Sequence, residues 1–152
     1  MGSKQGLSGP YRFVRRRKNI TIVVEPTAAA TDLIETADDA LELMRSVEWD
    51  NVKVMFDTLR ALYRNEIPAD YVRTMGKDLA HVHVSDSDRL LPGDARVDWL
   101  GLMQKLQECQ FDGYVTMEIG LGSRSADPDK IARTALKFLK DVESKLNSER
   151  KR

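Results

Sequence analysis

Four short apolar runs recur along this chain, and each closes on a side chain able to hold a metal ion. "ITIVVEP" reaches Glu25, "VKVMFD" ends in Asp57, "LAHVHVSD" carries His83, and "YVTMEIG" carries Glu118. The four donors lie 32, 26 and 35 residues apart, each interval near the ~30 residues of one strand–helix unit. Continuous, β-branched runs of this kind are strands buried on both faces. Helical spacing follows each of them. After the first run, Leu33, Ile34, Ala37, Leu41, Met44 and Val47 recur on one face, with Asp32 and Glu35 as the expected capping pair. Leu59, Leu62 and Tyr63 follow the second run, with a further turn after Pro68. Trp99, Leu102, Met103 and Leu106 follow the third. "ADPDKIARTALKFLKDV" closes the series, with Asp127 as N-cap and Pro128 at the first helical position. Four such units in succession predict an α/β fold with a parallel sheet and crossover helices.

The totals fit one domain. A chain of 152 residues buries a single core, and 24 basic residues balance 24 acidic ones, so no global field favours nucleic acid. The lone Cys109 excludes an intrachain disulfide and sits on a helical pattern, as a small packed side chain does. No apolar run approaches the ~20 residues of a membrane span, and Met1 to Pro10 lacks the apolar centre of a secretory signal. A cytoplasmic protein with neither membrane nor nucleic-acid partner is expected. Residues 1–19 read as an irregular basic leader, solvated rather than bound to nucleic acid despite Arg12, Arg15, Arg16, Arg17 and Lys18. Residues 20–145 hold the repeating units, and 146–152 read as a polar helix tail that frays.

Polar groups in parallel α/β folds gather at the carboxyl ends of the strands. Three carboxylates and one imidazole without a thiolate suit Mn²⁺, Mg²⁺ or Co²⁺ better than zinc. A plainer reading stands beside this: a carboxylate at a strand end usually caps the next helix, and Asp57 alone would be read so. Glu118 resists that reading, because it stands between Met117 and Ile119, where an unpaired charge costs several kcal/mol. His81 and His83 are two apart and share a face of their strand. His83, nearer the strand's end, is placed to meet the metal. His81, one layer deeper, is expected to hydrogen-bond a neighbour and orient a ligand from behind.

"VEP", "VKVMFDT", "HVHVSDSDR" with "PGDARVDW", and "FDGYVTMEIG" together resemble the second half of a xylose-isomerase-like (β/α)₈ TIM barrel. Within that superfamily they are most similar to the sugar phosphate isomerase/epimerase group, which includes the tagatose and psicose 3-epimerases and the hydroxypyruvate-isomerase-like enzymes. The resemblance spans residues 20–145. It implies the C-terminal half of such a barrel, with a divalent metal, Mn²⁺ foremost, held by Glu25, Asp57, His83 and Glu118. It implies a sugar or sugar-phosphate substrate contacted by Arg89, and Glu25 and Glu118 as the base and acid on its two faces. The reaction implied removes a proton next to a carbonyl and passes through an enediolate, whose growing charge a chelated metal stabilises. The other reading of Arg89 is an ion-pair partner for Asp86 or Asp88.

Three departures from the resemblance bear on the substrate. Arg60 stands where those epimerases carry a substrate histidine, three residues after the second donor, and is itself a candidate for binding a hydroxyl or phosphate. "PTAAATDL" lacks the polar series found after the first glutamate in some of them. Ala95 replaces a second glycine in "PGDARVDW". A fourth departure is length, since eight units need about 250 residues and this chain supplies four. The chain is then a fragment, a homodimer that closes a barrel from two copies, or one of two complementary half-barrel chains. The competing class is a catalytically inactive half barrel serving as an interaction module. Metal-dependent cleavage of abasic DNA, known in the same superfamily, draws on more histidines than the two present here.

Overall fold

The computed structural model describes residues 20–30, 32–122 and 127–149, so the basic leader lies outside the described residues. The order is β1 (Ile22–Val24), α1 (Ala37–Val47), β2 (Val52–Asp57), α2 (Thr58–Tyr63), α3 (Pro68–Met75), β3 (Leu79–Val84), α4 (Trp99–Glu108), β4 (Tyr114–Met117) and α5 (Pro128–Glu149). The strands form one parallel sheet in the order β1-β2-β3-β4. Sequential order with a helix after every strand is the pattern of a (β/α)₈ barrel, present here as four units.

The register fixes which side chains face which way. Val23 pairs with Lys53, Asp57 with His83, and His83 with Thr116. Paired residues in a parallel sheet point to the same side, so alternation puts Glu25, Asp57, His83 and Glu118 on one face. Between Val54 and Met55 the register slips, because Val54 pairs with Leu79 and Met55 with His81. The opposite face is the core: Val54, Phe56 and Val82 are fully buried and Val84 almost so, packed with Leu41, Val72, Leu102 and Leu106 from the helices. Burying each such side chain is worth about 1.5–3 kcal/mol, so this face anchors the sheet and leaves the other for chemistry.

Two expectations change. The cap of α1 is Thr36 with Asp39, in place of Asp32 with Glu35. Thr36 Oγ1 accepts from the Asp39 amide at 3.1 Å, and the Asp39 carboxylate accepts from the Thr36 amide at 2.9 Å. Leu33 and Ile34 precede the helix, so the apolar period in the sequence begins one turn too early. Thr36→Ala removes one arm of this reciprocal cap and is expected to cost about 1 kcal/mol in a urea melt. Burial on both faces holds for β2 but fails for β4, whose Tyr114 is 78% exposed, because β4 has a strand neighbour on one side only among the described residues. The last helix, α5, runs through Glu149 and buries Leu146. At its start Asp127 caps the helix as its sequence implies, accepting from the Lys130 amide at 3.1 Å.

Candidate metal centre

The four strand-end donors meet. One ligand atom from each of Glu25, Asp57, His83 and Glu118 lies within 4.8 Å of the other three. Each arrives from a different strand end, and two local devices hold the middle pair. The Thr58 hydroxyl donates to the Ser85 carbonyl at 2.6 Å and accepts from the Ser85 amide at 3.0 Å, tying the end of β2 to the end of β3. Asp57 also divides its labour. Oδ1 accepts from the Leu59 amide at 2.9 Å and caps α2, while the buried Oδ2 is left without a hydrogen bond among the described residues. Helix cap and candidate ligand are therefore the same residue, and the two readings of Asp57 do not compete.

Burial sets the electrostatics. Asp57 is fully buried, and that desolvation pushes its pKa up against the pull of the Leu59 amide and Arg89. Glu25 is raised as well, first by burial and then by Asp57 and Glu118, with His83 and Arg60 opposing. Glu118 departs from expectation: its side chain is 45% exposed, because it follows the open strand β4. Its carboxylate lies 2.7 Å from His83 Nδ1 and pairs with Arg89 Nη2 at 3.1 Å.

Arg89 pairs with the cluster and leaves Asp86 and Asp88 to other uses. Its Nη1 is 2.6 Å from Asp57 Oδ2 and 3.3 Å from the Glu118 carbonyl. Asp86, whose part the sequence did not disclose, is fully buried and accepts five hydrogen bonds. They come from the amides of Ser87, Gly93, Arg96 and Val97 and from the Trp99 indole. Burial raises its pKa, but the indole and the amides outweigh it, and the carboxyl is held below its ordinary 3.8. The signal in the sequence was an acid at a strand end with a tryptophan thirteen residues on. Arg60 donates from Nη1 to the Ala28 carbonyl at 3.2 Å and lies over the Tyr63 ring, so it braces the loop after Glu25. His81 packs edge-on against His83, ring centres 5.0 Å apart, and no hydrogen bond reaches its ring among the described residues. It supports the His83 ring by contact, in place of the hydrogen bond expected.

The donor set fits a divalent ion. His83 Nδ1 and Asp57 Oδ2 are both buried without an aligned hydrogen bond, although an ion-pair partner is near each. Buried polar atoms left in this state are ones a metal would satisfy, and three carboxylates with one imidazole suit hard or borderline ions. Among the described residues no helix is long and apolar enough to cross a membrane.

A family model described as a xylose isomerase-like TIM barrel matches residues 13–142. D-psicose 3-epimerase of Ruminiclostridium cellulolyticum is 33% identical over 86 residues, covering 57% of this chain and 29% of that protein. The 3-dehydro-D-guloside 4-epimerase of Escherichia coli is 26% identical over 143 residues, covering 91% of this chain and 54% of that protein. Among solved structures, D-psicose 3-epimerase with D-tagatose from Clostridium cellulolyticum superimposes with a TM-score of 0.78 at 26% identity, over 86% of this chain and 52% of that one. The chain thus spans about half, or less, of the length of the proteins it matches.

Proposed function

The chain belongs to the xylose isomerase-like TIM barrel family, and from that premise we propose that it is the metal-holding half of a ketose or sugar-phosphate epimerase or isomerase. The observation that carries this reading is the meeting of four donors from four strands within 4.8 Å, on the face away from the core. Glu25, Asp57, His83 and Glu118 would hold the ion, with Mn²⁺ as the best fit and Mg²⁺ or Co²⁺ as alternatives. A divalent ion there supplies positive charge to the sugar oxygen that turns negative when the neighbouring carbon loses its proton.

The side chains do the rest. Glu25, half-buried at the end of β1, is the carboxylate assigned to the proton on one face of the sugar. Glu118 reaches in from the opposite edge strand of the sheet, so one glutamate removes the proton and the other returns it. Return to the opposite face inverts the carbon. Arg89 offers a planar donor fork to a hydroxyl or to the enediolate oxygen, and Arg60 fixes the wall behind Glu25. Relatives named as sugar epimerases support this class of substrate.

The remaining strands would come from a second copy, a complementary chain, or further residues of a longer protein. The exposed Tyr114 and Val115 on β4 support completion along that edge. The same open edge favours the second reading, an inactive half barrel that serves as an interaction module. One experiment separates them: measure mass and bound metal together in solution, then offer a panel of ketoses in D₂O. Bound metal with deuterium entering the carbon beside the carbonyl supports the enzyme. A chain that self-associates without metal and exchanges nothing supports the module.

A further inference from the structure

The four-donor cluster brings three carboxylates together, and Arg89 already sits on two of them. Its guanidinium reaches Asp57 Oδ2 at 2.6 Å and Glu118 Oε1 at 3.1 Å. The backbone beneath it is unusual. Asp88 and Arg89 take φ values of 57° and 61°, the left-handed region, which costs non-glycine residues about 1–2 kcal/mol each. The fold over-determines that turn. The Arg89 carbonyl accepts from the Gly120 amide at 2.8 Å, the Leu90 amide donates to the Ser87 carbonyl at 3.1 Å, and the Asp86 amide donates to the Leu90 carbonyl at 3.0 Å. The five bonds into the Asp86 carboxylate lock the loop that follows. Gly120 passes so close that a Cβ there would lie 3.1 Å from Arg89 Cβ. A side chain that merely drifted over the mouth would not need such a mount.

We propose that Arg89 is the resident counter-cation of the cluster: it neutralises Asp57 and Glu118 while no metal is bound and competes with the ion for the same two carboxylates. This rests on the metal reading above, and it adds a role separate from any contact with substrate. A fixed guanidinium and a divalent ion on the same two carboxylates repel each other, so each weakens the other's hold. Metal entry would then displace the guanidinium from the carboxylates and leave its donors directed at the mouth.

The test titrates the full chain with Mn²⁺, reading free ion by paramagnetic resonance, and compares it with Arg89→Gln. Removing the competing charge is expected to tighten Mn²⁺ binding about tenfold, the scale of ordinary site–site coupling. Without metal the variant should melt at a lower temperature, and saturating Mn²⁺ should close that gap. Gly120→Ala, whose Cβ would press Arg89 Cβ by a few tenths of an ångström without touching a charge, is expected to tighten binding in the same direction by a smaller factor and serves if the glutamine variant folds poorly. Equal or weaker Mn²⁺ binding by folded variants overturns the proposal while leaving the metal site standing. Absence of Mn²⁺ binding in parent and variants alike overturns the metal reading and this inference with it.

Discussion

Glu118→Gln is expected to reduce deuterium incorporation from solvent into a ketose by about three orders of magnitude in the assembled, metal-loaded protein. General acid–base groups contribute typically 10²–10⁴-fold, and the proposed function assigns this side chain that work. An amide keeps the length and one oxygen but cannot carry the proton. Because Glu118 is also a candidate ligand, metal content must be measured on the same sample. Exchange lost with metal retained assigns the proton to Glu118. Exchange retained within tenfold, with metal bound, removes it from the mechanism. Glu25→Gln should fall as far, since a reaction that inverts a carbon needs a group on each face. The fold should survive both changes, because neither residue belongs to the apolar layer beneath the sheet.

Asp86→Asn is expected to destabilise the chain by about 3 kcal/mol, the upper range for a buried charged acceptor. The asparagine oxygen can serve some of the five donors, but its NH₂ would face others at short range. Urea unfolding checks the magnitude, and its pH dependence checks the cause. The folded pKa of Asp86 lies below its ordinary 3.8, so its contribution is fully present above that value and fades as pH falls through the folded one. The stability difference between parent and variant should therefore shrink only in acid. Glu25 and Asp57 act in the opposite sense, since their raised values make the native state bind protons more readily. They are common to both proteins and cancel in the difference. A gap that stays constant down to strong acid would mean that the loss comes from packing alone.

The four-unit fold was legible because its signals are local and repeated. "VKVMFD" could be little else than a buried strand, and its pairing with Asp57 at the end set the site. The four donors were legible for the same reason, since strand periodicity and strand-end position together place a side chain in space. What escaped required partners distant in sequence. Thr36 and Asp39 capped α1 where Asp32 and Glu35 fitted the apolar period equally well, and only backbone geometry separates such pairs. Asp86 entered only as one alternative partner for Arg89, and its donors run from Ser87 through the loop to Trp99 at the start of α4, a spread that no periodicity reveals. Glu118 was expected to be buried because Met117 and Ile119 flank it, but burial depends on the next strand, and flanking residues do not supply that.

The slip between β2 and β3 decides which residues reach the mouth at all. Were the ladder to run evenly on from Val54 opposite Leu79, Val82 would stand beside Asp57 and both imidazoles would turn into the apolar layer. One surplus residue, Ala80, absorbs the miscount, so Leu79 serves the helices while His81 and His83 serve the opening. The meeting of donors in this chain is in that sense an odd–even matter, settled three residues before the imidazole it delivers.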